Sequence, residues 1–355
     1  MRSSTDQADA PAQPSRPRYT RQRSGPLRFL APLLAVLVLL VLITESLALG
    51  SRTLSPEEVW QGFLAYDNSV ASKVVWGLRI HRTILAIVVG ASLAVAGVVM
   101  QALTRNPLAE PGILGVNAGA SLAVVAAIGG LGLTSVNQYL PFAFAGAAAA
   151  AVLVHVMARR SADAGPARLV LAGVALGASL SSITGTMTMY NSKAFDSYRF
   201  WVVGSLENRK LEVLLWVAPF LAVGLVLALA SAHSLNTLAL GDEQATALGV
   251  NLAVVRGGAF VAITLLCGAA TAAAGPISFI GLVIPHVVRL LVGADQRRLL
   301  AWSVAAGAGL LLAADVAGRL LVRPAELEAG IVTAFIGAPV LLVLALTNRT
   351  VRRSA

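Results

Sequence analysis

Charge is scarce in this chain. Of its 355 residues only 12% are Asp, Glu, Lys or Arg, against 57% hydrophobic, and the mean hydropathy is +0.78. A soluble domain of this length cannot cover so much apolar surface with so few charges, so the composition reads as an all-α polytopic membrane protein. Cysteine is scarcer still: the single Cys267 lies inside an apolar run, which rules out a disulfide framework. The four histidines, His81, His155, His233 and His286, are scattered and have no Cys beside them, so they offer no metal-binding cluster. The three lysines, Lys73, Lys193 and Lys210, follow Ser, Ser and Arg, so no Gly-Lys-Ser/Thr loop cradles a nucleotide phosphate. No cofactor is implied.

The span interiors also lack the carboxylates and histidines that proton- or sodium-driven transporters place near the bilayer midplane. Glu45, Asp315 and His155 all fall near helix ends. A large helical bundle with neither motor nor coupling-ion site is a passive pore, or one part of a machine driven from outside. The net charge of +10 does not imply nucleic acid, because the basic residues cluster at the ends of apolar runs.

What is present is apolar length. Residues 1–28 are polar, rich in Ser, Pro, Gln and Arg, and are expected to form a disordered basic tail. The run 29–49 that follows is long enough to span and reads as a retained first helix rather than a signal peptide. Further windows near 82–103, 112–131, 138–158, 167–189, 211–231, 253–274, 276–292, 300–321 and 331–347 bring the total to ten within a membrane domain of 29–350, with a tail at 351–355. If ten helices alternate, most arginines fall on one side, which puts both termini in the cytoplasm. Arg79, Arg82 and Arg319 are exceptions at outer helix mouths. They read either as lipid-headgroup anchors or as a docking site for an acidic partner.

Small-residue runs such as GASLAVAG (90–97) and GAAAAA (146–151) allow close helix approach. Ser181, Ser182, Thr184 and Thr186 give the fifth span a polar stripe that suits a water-lined path. Two cytoplasmic stretches differ from plain connections. In RNPLAEPG (105–112) two prolines fix the path, and Pro107 stops the helix and restricts Asn106. In DEQATALG (242–249), bounded by Gly241 and Gly249, a helix too short to span should lie at the membrane surface and offer itself to a partner.

At these residues the sequence resembles the FecCD-type permeases of binding-protein-dependent ABC importers for iron-siderophores, haem and cobalamin. RIHRTILAIVVGASLAVAGVVMQALTRNPLAEPGILGVNAGA, FWVVGSL, LNTLALGDEQATALGV, GPISFIGLVIPHVVRLLVGADQR, AADVAGR and ELEAGIVTAFIGAP follow one another in the family's order, over roughly Val75 to Leu346. The resemblance implies the type II importer fold of the cobalamin permease, in a bacterial inner or plasma membrane. It also implies a second permease subunit (identical or related), separate ATPase subunits, and an external binding protein or lipoprotein. It matches Arg79, Arg82 and Arg319 to binding-protein docking, and Asn106, Pro107 and Leu108 to a cytoplasmic gate. The segment 238–250, with Leu240, Gly241, Asp242, Glu243, Ala245, Leu248 and Gly249, matches the ATPase coupling helix. The implied activity is translocation of ferric siderophore, with haem and cobalamin as alternatives in the same class. A self-contained secondary transporter or channel is the alternative from another class. His81, Gln296 and the Glu328-Ala329 pair depart from the family's pattern.

Overall fold

A computed structural model describes residues 27–50, 55–64, 69–159 and 166–353. The expected basic tail lies outside them except for its last two residues, which open the first helix. Among the described residues the chain is all-helical. In order come α1 (Leu27–Ala48), α2 (Pro56–Leu64), α3 (Val70–Val74), α4 (Ile80–Thr104), α5 (Val116–Leu131), α6 (Val136–Arg159) and α7 (Pro166–Tyr190). They are followed by α8 (Ser192–Val202), α9 (Leu211–Leu238), α10 (Asp242–Ala247), α11 (Leu252–Ala274), α12 (Ile280–Val292), α13 (Gln296–Leu321) and α14 (Ala329–Arg353). Seven helical stretches are long and apolar enough to cross a membrane, and α5, α12 and α14 add three shorter apolar segments. Among the described residues each of the ten expected spans therefore coincides with an apolar helix, seven of them of spanning length.

Their limits differ from expectation in several places, the ninth starting at Gln296 and the tenth running from Ala329 to Arg353. The second span is part of a longer helical run, Val70–Thr104, which includes a π-helical turn at Val75–Arg79. The third is preceded by a 3-10 turn at Pro111–Leu114, so α5 starts only at Val116. The sixth continues to Leu238, because no Pro or Gly interrupts residues 232–238 and Ala232, Leu235 and Leu238 keep a buried face at helical spacing. The eighth begins at Ile280 rather than 276. Gly275, with φ 77°, ends α11, and Pro276–Ser278 is non-helical. The short α2 and α8 were not expected.

Helix α4 is the hub, packed against α9, α11, α12 and α13. In its most apolar window 78% of residues are buried, against 6% for α1 and 11% for α7. Small residues make this density possible. Gly90 meets Gly307 of α13 backbone to backbone, Gly97 meets Gly281 of α12, and Gly119 meets Gly146 where α5 crosses α6. A Cβ at any of these would collide with a carbonyl of the facing helix. By contrast Gly177 on α7 faces open space. Helices α1 and α7 are thus the loosely held flanks of a tight centre.

Candidate functional site

The two ends of α4 carry the charged chemistry. At its start, two arginines converge on one aspartate and a third, Arg79, lies beside them. Asp315 of α13 is fully buried and pairs with Arg82 at 2.8 Å and Arg319 at 2.6 Å, while Arg82 also reaches Glu326 at 2.6 Å. Burying an aspartate among apolar helices is tolerable only with such pairing.

The remaining donors close the end of α1. A helix leaves its last four carbonyls without intrahelical partners. Here the Glu45 carbonyl accepts from the Leu49 N–H at 2.8 Å, and the Ser46 carbonyl from Arg319 at 2.9 Å. The Leu47 and Ala48 carbonyls accept from Arg79 at 2.7 and 2.8 Å. Arg319 also donates to the Leu49 carbonyl at 2.8 Å and to Ser46 Oγ at 2.9 Å, and Ser46 Oγ lies 2.7 Å from Thr83 Oγ1. Positive charge placed at a helix C-terminus is also favoured by the helix dipole. The three predicted docking arginines are therefore brought together, but inside the protein. Arg79 is 5% exposed and Arg319 2%, and the Arg82 side chain is 12% exposed. A partner's carboxylate would have to compete with Asp315, Glu326 and the α1 carbonyls for them.

At the other end of α4 the predicted gate turn is built from local bonds. Arg105 ends the helix in the left-handed conformation, φ 49°, and the Asn106 N–H returns to the Gln101 carbonyl at 3.2 Å. Asn106 Oδ1 then accepts the Leu108 N–H at 3.0 Å, and the Asn106 carbonyl accepts the Ala109 N–H at 3.1 Å. Asn106 and Pro107 are exposed, Leu108 is half-buried and Ala109 is buried. The chain then dips inward. Pro111 is buried and lies close to Gly281, and the Glu110 carboxylate accepts the Phe279 N–H at 2.8 Å.

That contact answers a membrane problem. Non-helical backbone at depth needs internal partners, and Phe279 (φ 72°) opens α12 from inside the bundle. Gln101 helps: its Nε2 donates to the Leu282 carbonyl at 3.3 Å, and its Oε1 accepts from Arg289 at 3.1 Å. Burial pushes the Glu110 carboxyl above its ordinary range, and the Phe279 N–H opposes this. Sequence reasoning missed Glu110. Its signal was an acidic residue between two prolines, flanked by spans.

The predicted coupling segment is helical from Asp242 to Ala247, entered through Gly241 at φ 114° and left through Gly249 at φ 81°, both conformations that favour glycine. Ala245 is fully buried and seats the helix, while Glu243 is exposed. Leu240 and Leu248 stand out at 57% and 65% exposure. Asp242 faces inward to two arginines. It pairs with Arg105 at the end of α4 and, at 2.6 Å, with Arg256 of α11. Partial burial would raise its pKa, but the hydrogen bonds from Arg256 and Arg105 prevail and hold the carboxyl below the usual range. Neighbouring Asp295 is also depressed, first by the Arg297 N–H that it caps at 2.8 Å.

The fifth-span stripe is split. Ser181, Ser182 and Thr186 lie on the exposed face of α7, whereas Thr184 is 2% exposed and bonds the Leu180 carbonyl of its own helix at 2.8 Å. Two residues along a helix turn a side chain by about 200°, so Ser182 and Thr184 cannot share a face. A separate apolar cavity of about 770 Å³ lies between the end of α8, the 276–279 segment and α14. Val202, Phe279, Ile331, Phe335 and Leu342 line it.

The sequence and fold have counterparts among known proteins. The chain is 44% identical over 312 residues to the ferric enterobactin transport system permease protein FepD of Escherichia coli (strain K12), covering 87% of this chain and 93% of that one. It is 41% identical to the vitamin B12 import system permease protein BtuC of Yersinia enterocolitica (94% and 96% covered) and 37% identical to the hemin transport system permease protein HmuU of Yersinia pestis (93% and 98%). Its fold matches a solved inward-facing conformation of a metal-chelate type ABC transporter with a TM-score of 0.78 at 30% identity, covering 89% of this chain and 98% of that one. The profile of the FecCD transport family matches residues 37–347. Such coverage spans both ends of α4 and the coupling segment, and the chain belongs to the FecCD transport family as a permease subunit of an ABC importer.

Proposed function

We propose that this permease translocates ferric-siderophore complexes into the cytoplasm, driven by a separate ATPase that seats on α10 and fed by an external binding protein. The observation that carries the mechanism is the geometry of α10. It displays Leu240, Glu243 and Leu248 outward while Asp242 holds the gate turn through Arg105. An exposed leucine pair flanking a six-residue helix suits a protein cleft. The chain itself makes and breaks no covalent bond; hydrolysis belongs to the partner. The α10 end is then cytoplasmic, as are both termini, in a bacterial inner or plasma membrane.

A second permease, identical or related, would cover the open face of α7, where Leu171, Val174 and Ile183 are exposed. Ser181, Ser182 and Thr186 would then line a path between the two subunits. The gate role of Asn106, Pro107 and Leu108 is supported by the stiffness of a turn held by local hydrogen bonds. For binding-protein docking, Arg82 is the residue best placed to exchange partners, since its second carboxylate, Glu326, is 16% exposed. Arg79 and Arg319 would act behind it by holding α1.

Siderophore is the preferred cargo because of the 44% identity to a ferric enterobactin permease. The test is ATP-driven uptake in vesicles carrying this chain with its cognate ATPase and binding protein, offered ferric siderophores, haem and cobalamin in turn. Uptake of a ferric siderophore that stops without ATP is the expected result. Uptake of haem or cobalamin alone would overturn the cargo, and uptake without ATP would overturn the mechanism.

A further inference from the structure

Arg105 occupies an unfavourable conformation for its residue type. At the end of α4 it adopts φ 49°, ψ 32°, a region that glycine enters freely and residues with a Cβ enter at a cost. Helices commonly end here with glycine, so an arginine needs a compensating use for its side chain. It has one. Its Nε donates to the Leu238 carbonyl at the end of α9 at 3.1 Å, and its Nη2 pairs with Asp242, the first residue of α10. Asp242 in turn takes Arg256 of α11 on its other oxygen at 2.6 Å. One carboxylate thus joins α4, α10 and α11, Arg105 adds the end of α9, and the next residue after Arg105 begins the turn 106–108.

We infer that the Arg105–Asp242–Arg256 bridge is the positioning element that transmits movement of α10 to the turn at Asn106–Leu108. The inference rests on the reading of α10 as the ATPase-coupling helix and adds the residues that carry the link. The bridge is suited to transmission rather than to holding the fold. Its side chains are between 32% and 42% exposed, so the bonds can break and re-form as α10 moves. The turn beyond is stiff, because Asn106 closes it on both sides through its side chain and its carbonyl. Displacement of Asp242 therefore pulls on a short lever with few internal degrees of freedom. The backbone strain at Arg105 places the guanidinium toward α9 and α10.

Two variants separate this from a structural role. Asp242→Asn removes the charge but keeps the size. Arg105→Gly removes the bridge while relieving the strained cap, so it should unfold at the wild-type temperature or above. The full complex with ATPase and binding protein is reconstituted, and labelled ferric enterobactin uptake is measured per ATP hydrolysed. Each variant should lower that ratio by up to about fivefold, the factor corresponding to about 1 kcal/mol for an exposed pair. The double variant should lose less than the sum of the two single losses, because both remove the Arg105–Asp242 contact. A loss of assembly alone would reduce uptake and hydrolysis together and leave the ratio unmoved. An unchanged ratio in both variants, or additive losses, would overturn the inference. The second measurement needs neither substrate nor ATPase: hydrogen exchange of the 105–109 amides in the purified permease. It should quicken in Asp242→Asn, and unchanged exchange would overturn the bridge on its own. Absence of uptake by the wild-type complex would count instead against the cargo or mechanism proposed above.

Discussion

Each end of α4 presents an aspartate held between two arginines, and the two triads could hardly differ more in setting. At one end Asp315 is fully buried with Arg82 and Arg319; at the other Asp242 is 42% exposed with Arg105 and Arg256. The chemistry is the same, so burial decides what each can do. Charges withdrawn from water must keep every partner, because a lone buried ion costs several kcal/mol. The Asp315 triad is therefore a fixed joint, and its spare donors go to carbonyls at the end of α1. The Asp242 triad can lose a partner to water cheaply, which makes it a joint that can move.

The largest effect expected from this contrast is at the buried joint. Asp315→Ala takes the shared carboxylate from two buried guanidinium groups, leaving Arg82 with Glu326 and Arg319 with acceptors at the end of α1, and should destabilise the protein by about 3 kcal/mol. Thermal unfolding in lipid nanodiscs would measure it. A loss no larger than that of Asp242→Ala would erase the distinction between the two ends.

Arg79→Met should come next. It keeps most of the side-chain volume but leaves the Leu47 and Ala48 carbonyls without their donor, at roughly 1–3 kcal/mol for buried groups. Because little of α1 is buried, the loss should fall mainly there. Faster protease cleavage after α1 with an intact remainder is the expected signature. Global unfolding at the same denaturant concentration as wild type, with no change at α1, would contradict the capping role.

How much of this was visible in the sequence varies by kind of feature. Spans were legible because apolar length survives any packing, and α10 was legible because two glycines bracket a run too short to cross. The tight turn at 106–108 could be read from its prolines. Pairings were not. Arg82 and Asp315 are 233 positions apart, and an arginine at a helix mouth looks the same whether it faces a partner protein or a buried aspartate. Hydrophobic periodicity reports that a face is buried and says nothing of what covers it. Thr184 shows the same limit on a smaller scale, since a polar stripe read along the sequence does not fix which flank of α7 turns inward. The late start of α12 was hidden because its compensation, the Glu110 carboxylate, comes from a loop 169 residues earlier.

Glu110 lies between the two extremes and sharpens the comparison through pH. Burial raises its pKa in the folded protein. Its contribution to stability is therefore complete below the ordinary carboxylate value, about 4.3, and is lost as pH rises through the raised folded value. Glu110→Gln retains an acceptor for the Phe279 N–H and cannot ionise. Wild type should lose stability relative to the Gln variant as pH is raised from about 4.3 toward neutrality. Parallel curves over that interval would mean that the carboxyl is not held away from water.

The smallest expected effect is at the exposed joint, and it is the one that salt should reveal. Asp242→Asn should cost less than about 1 kcal/mol in unfolding free energy, since exposed pairs rarely contribute more. The sign of its pH dependence is opposite to that of Glu110. A depressed folded pKa gives a contribution present above the ordinary aspartate value, about 3.9, and lost as pH falls through the lower folded value. Raising the salt to about 1 M shortens the screening length to about 3 Å. The difference between wild type and Asp242→Asn should then shrink toward zero, while the deficit of Asp315→Ala should persist, because solvent ions do not enter a fully buried site. Persistence of both deficits in salt would mean that the Asp242 bridge is as rigid as its buried counterpart and cannot serve as a moving link.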